Sequence, residues 1–442
     1  MKVGVISLGC SKNLINTEQM MFLLSEAGFE VTQEIPGVDF ALLNTCGFIE
    51  SAKTEAIETI IELGEMKQRG EIGKLIVAGC LPQRYKDEIM SELPEIDAVV
   101  GTGSFDEIID VANALIKKDE ISGISTFRDI NAPVSETKRI ISTSSSWAYL
   151  KVAEGCDNNC AYCVIPSIRG KFRSRPIENI VAEARDLIAR GIKELIIVAQ
   201  DVTMYGTDLY EKRMLTTLLK ELCNIEELDW IRLHYLYPSE IDDNLIDFIS
   251  SHDKILKYLD IPIQHINTDV LKKMNRRGTG EEIRELFERI RKRIPGIVLR
   301  TSIIAGLPGE TEKSFDELCD FLLQAKIERA GVFEYSPEEG SLAASMDRPD
   351  VSIVAKRAEL LTDLQSRIME EFDLTRIGSV VTVLVEGKDE SGLYFGRSFA
   401  ESPDVDGYIT IEGTDLPMNE FIEVRITDTS EGVVRGEPLT RG

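Results

Sequence analysis

The sequence predicts an α/β protein in three parts: an N-terminal doubly wound parallel sheet, a central full or partial β/α barrel, and a small C-terminal all-β barrel. Three observations predict it. Apolar runs of strand length alternate with amphipathic helical stretches from the start to about Phe372, first on a short scale and then on a longer one. A polar stretch, Ile141-Ser142-Thr143-Ser144-Ser145-Ser146, interrupts the alternation as a linker would. From about Arg376 the helical period gives way to short β segments separated by Gly, Asp and Pro. The expected domains are residues 1–145, 146–372 and 373–442.

The first part opens on Val3 to Cys10, an apolar strand that ends at a cysteine. Helical periodicity follows from Asn16 to Ala27. Phe40 to Cys46 and Leu75 to Cys80 repeat the strand pattern, and each again ends at a cysteine; Ala98 to Gly101 is a further strand. Between them, Ser51 to Met66 places Ala52, Ala56, Ile57, Ile60 and Ile61 on one helix face. In an open parallel sheet the carboxyl ends of the strands line one edge, where ligands bind. Cys10, Cys46 and Cys80 are therefore expected at one crevice. The alternative is three small hydrophobes at strand ends.

In the central part the predicted strands are 149–152, 194–199, 230–234, 258–261, 297–304 and 331–335, with helices between them. Six βα units fit a full or partial barrel, whose chemistry collects at the strand carboxyl ends. Directly after the first of these strands stand Cys156, Cys160 and Cys163, at spacing x3 then x2. The last part carries β segments at 380–385, 394–397, 408–411 and 421–426.

The chain has 442 residues, 43% of them hydrophobic and 29% charged, enough to bury several cores. Its 76 acidic and 50 basic residues give a net charge of −26, which repels phosphates over most of the surface. A basic protein partner is easier to reconcile with that field, and solubility alone is the plain alternative. No signal peptide is expected at Met1, and no stretch reaches the roughly 20 apolar residues of a membrane span. The expected location is cytoplasmic, where eight cysteines are ligands, catalysts or core residues rather than disulfides.

Three thiolates this close in sequence can wrap one metal centre. Structural zinc needs four ligands, and His234 and His265 are distant in sequence, so a three-thiolate catalytic zinc stands as the lesser alternative to an iron–sulfur cluster with one open iron. Cys223 and Cys319 fall inside predicted helices and read as core cysteines.

The triplet and its place after the first strand resemble the radical S-adenosylmethionine enzymes, and the whole chain resembles their methylthiotransferase family. The matching pieces are Leu8-Gly9-Cys10-Ser11-Lys12-Asn13, Asn44-Thr45-Cys46, Gly79-Cys80, Gly155-Cys156 through Gly170-Lys171-Phe172-Arg173-Ser174-Arg175, Pro262-Ile263-Gln264-His265 and Met274-Asn275-Arg276-Arg277-Gly278. The resemblance implies a [4Fe–4S] cluster on Cys156, Cys160 and Cys163 that binds S-adenosylmethionine, and a second [4Fe–4S] cluster on Cys10, Cys46 and Cys80 that carries or binds the sulfur to be transferred. It implies a C-terminal barrel of TRAM or OB-like kind. It also implies cofactor contacts at Gln200, Gln264, Ser302 and Gly306, with His265 beside them. Gln200-Asp201 stands where the superfamily often has Gly-Gly-Glu, so that contact departs from the pattern. Arg169 to Arg175 reads either as a basic patch facing substrate or as solvated surface.

Two branches of the family compete for the substrate. One acts on a modified adenosine of transfer RNA; the other acts on the β-carbon of an aspartate in a small-subunit ribosomal protein. The last part, from Arg376 on, holds 13 acidic and 6 basic residues, which opposes RNA and attracts a Lys/Arg-rich protein. The pieces 7–13, 396–400 and 403–407 also resemble the ribosomal-protein branch. The expected partners are a basic ribosomal protein, free or in the ribosome, and an electron donor. RNA is not expected to dominate binding, and no membrane is expected. A two-cluster electron or cluster carrier is the reading from another class.

Overall fold

The structure is a computed structural model and describes residues 1–117 and 123–439. The first unit runs β1 (Lys2–Ser7), α1 (Ser11–Glu26), β2 (Glu30–Thr32), β3 (Val38–Thr45), α2 (Glu50–Gln68), β4 (Ile72–Gly79), α3 (Cys80–Tyr85), α4 (Asp87–Glu92), β5 (Ala98–Gly101), α5 (Ile108–Lys117) and β6 (Ile124–Thr126). Its six strands are all parallel, in the order β2-β1-β3-β4-β5-β6. The strands read as unbroken apolar runs because both faces are covered. Phe40, Leu42, Ile76 and Ala78 pack on one side with Met20, Leu24, Ile108 and Val111. Ala41, Leu43, Leu75 and Val77 pack on the other with Ala56, Ile60 and Leu63. This is the doubly wound sheet that the sequence predicts.

The second unit is β7 (Trp147–Lys151), β8 (Ala153–Glu154), α6 (Ile165–Arg169), β9 (Arg173–Ser174), α7 (Ile177–Ala189), β10 (Glu194–Val198), α8 (Leu215–Cys223), β11 (Trp230–Leu233), α9 (Asp243–Ser251), β12 (Ile255–Asp260), α10 (Thr268–Lys273), α11 (Gly280–Arg293), β13 (Val298–Ala305), α12 (Glu312–Ala325), β14 (Arg329–Glu334) and α13 (Val351–Arg376). Strands β7 and β10 to β14 pair in parallel in chain order, and the sheet does not close. The barrel is therefore partial. Thr279 and Thr311 cap α11 and α12 through reciprocal bonds with Glu282 and Ser314, which set where those helices begin. Cys223 and Cys319 pack against this core from their helices, as expected.

The third unit, β15 (Val380–Lys388), β16 (Tyr394–Arg397), β17 (Ile409–Ile411), β18 (Phe421–Asp428) and β19 (Val434–Pro438), closes into a five-stranded barrel in the order β15-β16-β17-β19-β18. The segment after β16 enters the open side of the central sheet. Arg232 donates to the Phe399 carbonyl at 2.8 Å, Tyr258 to Asp406 at 2.6 Å and Tyr149 to Asp404 at 3.1 Å. Glu194 lies between Arg232 at 2.6 Å and Arg397 at 2.8 Å, all three fully buried. The third unit thus packs on the face of the partial barrel opposite the one its helices cover.

Periodicity does not reveal β2, β6, β8, β9 or β19. These are edge or two-to-five-residue strands fixed by their partners, with too few residues to show a period. Among the described residues no helix is long and apolar enough to cross a membrane.

Candidate metal centres and active site

Cys10, Cys46 and Cys80 follow β1, β3 and β4, three adjacent strands of one sheet. Gly79 turns the chain at φ +99°, a conformation an L side chain rarely adopts, so that Cys80 opens α3 at the sheet edge. Asn13 ties the site together. Its Nδ2 donates to the Thr45 carbonyl at 2.7 Å, and its Oδ1 lies 3.5 Å from the Cys80 sulfur.

Cys156, Cys160 and Cys163 lie in the loop between β8 and α6. The short β8–β9 ladder closes the loop's base, where the Cys156 N–H donates to the Gly170 carbonyl at 3.1 Å. Asn158 donates to buried Asp201 at 2.7 Å, and Phe172 N–H donates to Asp157 at 3.1 Å. Arg276 reaches Cys160 Sγ at 3.8 Å while donating to Tyr162 Oη at 3.1 Å and to the Pro262 carbonyl at 2.7 Å.

The two triplets share a wall. Cys80 packs in one buried cluster with Val164 and Ile168, the residues just after Cys163. Arg169 Nη2 lies 3.5 Å from Cys80 Sγ and also donates to Asn13, while its Nη1 donates to Glu154 at 2.7 Å. Glu154 in turn holds Lys151 at 2.8 Å and accepts from Gln200 at 3.1 Å. Sequence reasoning missed this hub. The only signal was a glutamate directly before Gly155-Cys156 at the end of an apolar strand. The reading of Arg169 to Arg175 as a substrate-facing or solvated basic patch is corrected for its two ends, while Lys171 between them is exposed. Arg169 is 2% exposed, and Arg175 is buried against Glu136 and Glu183. Charges buried this way need partners, and the fold supplies them.

Of the four residues expected at the cofactor, Gln200 follows β10 next to Glu154, and its Oε1 is buried without a partner. Gln264 sits at φ +69° and bridges β13, donating from its N–H to the Ser302 carbonyl at 2.8 Å. Gly306 turns at φ +80° with its N–H on Glu310, and a Cβ there would strike Val354 of α13. Gln200, Gln264 and Ser302 thus sit on strands β10 to β13 or just past their ends; Gly306 is occupied by packing. His265 is fully buried, with Nδ1 accepting from the Asn267 N–H at 2.9 Å and Nε2 3.3 Å from Glu310. His234 meets Ser402 at 2.8 Å.

Burial pushes the Cys46 thiol up to about 12, with Cys80 adding to it, and the Cys156 thiol up to about 11. Cys163 and Cys80 are also raised by burial. At Cys10 burial acts the same way, but Lys12 and Arg169 outweigh it and hold the thiol below its usual value. The donor sets fit metal clusters: three thiols apiece, Cys80 buried and the other five half-buried, with a cation 3.5–3.8 Å from one sulfur of each set. Iron would displace the protons that burial retains. Among the described residues no three Cys, His, Asp or Glu side chains converge as on a single metal ion.

A strand-edge cysteine triplet on a partial β/α barrel, joined to a second triplet on a doubly wound sheet, defines a radical SAM enzyme with an added cluster domain. Residues 150–322 match the Radical SAM superfamily, 2–101 match the Uncharacterized protein family UPF0004, and 377–438 match the TRAM domain. The protein named ribosomal protein uS12 methylthiotransferase RimO from Acetivibrio thermocellus is 45% identical over 99% of this chain and 98% of its own length. The one of the same name from Pelotomaculum thermopropionicum is 46% identical over 99% of each. The chain belongs to the RimO family of radical SAM methylthiotransferases. In fold it is similar to the radical S-adenosylmethionine methyltransferase TsrM of Kitasatospora setae, solved with cobalamin and a [4Fe-4S] cluster. That likeness has a TM-score of 0.57 at 14% identity, over 76% of this chain and 73% of that one, and it speaks to fold alone.

Proposed function

We propose that this enzyme places a methylthio group on the β-carbon of an aspartate of the small-subunit ribosomal protein uS12, using S-adenosylmethionine and two [4Fe–4S] clusters. Cys156, Cys160 and Cys163 would hold one cluster, and Cys10, Cys46 and Cys80 the other. When bound, these groups supply a 5′-deoxyadenosyl radical on one side and the transferable sulfur on the other. The observation that carries the reading is the shared wall between the triplets, with Arg169 on Cys80 and Val164 beside Cys163. This contact supports a reading in which both chemistries act on one substrate carbon, with positioning replacing an encounter. Glu154 and Arg169 would brace that wall, and Gln200, Gln264 and Ser302 are the residues that would meet the cofactor.

The acidic surface supports a basic protein as substrate, in solution or in the ribosome, and an external one-electron donor would reduce the clusters. The three units correspond in this reading to domains 1–145, 146–372 and 373–442, acting in the cytoplasm. The test is anaerobic reconstitution, reduction, and incubation with recombinant uS12 and, separately, with unmodified transfer RNA. Methylthio mass on uS12 is expected. Mass on the RNA alone rejects the substrate, and failure to cleave S-adenosylmethionine favours an electron or cluster carrier.

A further inference from the structure

Most of the cations around the two triplets are held by a carboxylate or by other fixed acceptors among the described residues. Arg169 and Lys151 are taken by Glu154 at 2.7 and 2.8 Å, and Arg300 by Asp260 at 2.9 Å. Arg276 has no acid, but its guanidinium is used by Tyr162 and the Pro262 carbonyl. Lys12, in the first turn of α1 and only 6% exposed, forms no ion pair with any carboxylate among the described residues. Its Nζ lies 3.5 Å from the centroid of the Tyr235 ring.

Tyr235 follows β11 at the carboxyl edge of the central sheet, so this contact spans the seam between the two cysteine-bearing edges. The residue holds φ +59°, the left-handed region that a bulky side chain avoids, and its N–H is fixed on Asp260 at 3.1 Å. Strain of this kind persists where surrounding structure enforces it, commonly at ligand sites. A ring face offers a cation weak, non-directional attraction, and the Tyr235 side chain also takes a hydrogen bond from Lys12, which leaves the ammonium further donors. A buried ammonium with donors to spare at an active-site seam is suited to an anion brought from outside.

Resting on the function proposed above, we infer that Lys12 is the group that recognises the target side chain, by binding the carboxylate of the aspartate whose β-carbon is modified. One carboxylate oxygen accepts from the ammonium, and Tyr235 limits how far the lysine can swing. The β-carbon, one bond from that carboxylate, is thereby fixed between the triplets. An asparagine of the same shape lacks the charge and is selected against. The competing role for Lys12 is to offset negative charge at metal-bound Cys10, two residues away.

The test uses reconstituted holoenzyme with recombinant uS12 and with uS12 carrying asparagine at the target position, and it measures anaerobic binding affinity together with methylthiolation. Wild type should prefer aspartate by about 10- to 100-fold in Kd, the range of a charge-assisted hydrogen bond. Lys12→Met should bring the two proteins within about threefold, and Lys12→Arg should keep most of the preference. Iron and sulfide counts confirm that each variant holds both clusters. A Lys12→Met enzyme that keeps the aspartate preference overturns the inference while uS12 modification by wild type leaves the function standing. A wild-type preference below about threefold overturns it without any variant, which covers the case in which Lys12→Met does not assemble. Wild type that modifies only transfer RNA rejects the function and the inference together.

Discussion

Arg169 donates toward the Cys80 sulfur at 3.5 Å with one guanidinium nitrogen and to Glu154 at 2.7 Å with the other. One side chain thus ties a cysteine of the first sheet to the strand that leads into the cysteine loop of the second. Asn13 shares the same guanidinium nitrogen, so Arg169 joins groups at both sites.

Replacing Arg169 by Met should cost on the order of 3 kcal/mol, because Glu154 keeps only Lys151 and Gln200 as partners in a buried place. Chemical denaturation of the apoprotein measures it. Adding Glu154→Gln to Arg169→Met should cost less than Glu154→Gln costs in the wild type, since buried Lys151 alone, rather than Lys151 and Arg169 together, then loses the carboxylate. A fully additive double variant would contradict the pairing.

Iron and sulfide analysis tests the two donor sets independently. Replacing Cys156, Cys160 and Cys163 together by Ala should reduce the reconstituted protein from two clusters to one. Replacing Cys10, Cys46 and Cys80 should do the same and leave S-adenosylmethionine cleavage intact. Loss of both clusters in either variant would show that the sites are not separate centres.

Gly155 sits at φ +79°, and a Cβ on it would overlap the carbonyl oxygens of Lys171 and Gly170. Gly155→Ala should therefore open the base of the cysteine loop, destabilise the protein by about 1–3 kcal/mol and empty the Cys156 site selectively. The charge-transfer absorbance of the reconstituted variant should fall to that of the Cys156 triple variant.

Acid should release the third unit through Glu401. Burial pushes this carboxyl up, but Arg376 and Arg329 outweigh burial and hold it down at about 2. A carboxyl depressed in the folded state stabilises fully above its unfolded pKa of roughly 4.3, and loses that contribution as pH falls through the folded value. Wild type should exceed Glu401→Gln in stability by a constant margin above about pH 5, with the margin shrinking between about pH 4.5 and 2. Denaturation of apoprotein across that range reads the difference. A margin independent of pH would separate Glu401 from the acid response.

Much of this was legible in the chain. Val3, Phe40 and Leu75 begin apolar runs that announce strands buried on both faces, and each run stops at a cysteine. The x3–x2 spacing of Cys156, Cys160 and Cys163 needs no fold to be read as a ligand set. Arg169 was not legible. An arginine after a short helix gives no local sign of whether it meets water or Glu154, since burial of a long charged side chain depends on what other elements place against it. Gly306 illustrates the reverse: its glycine was visible, but the reason for it, Val354 of α13, lies 48 positions on.

The sequence by itself determined the longer strands, the three-part order, the Cys156 set by its spacing and the Cys10 set by its recurrence at strand ends, because period, spacing and strand termini are local properties of the chain. Tertiary structure alone decided that the barrel stays open, with Arg232, Tyr258 and Tyr149 receiving the segment after β16 on the face that its helices leave uncovered. It alone decided that Cys80 and Arg169, 89 residues apart, touch. Contacts at such separations are set by which buried charges and faces can satisfy one another after the sheets have formed.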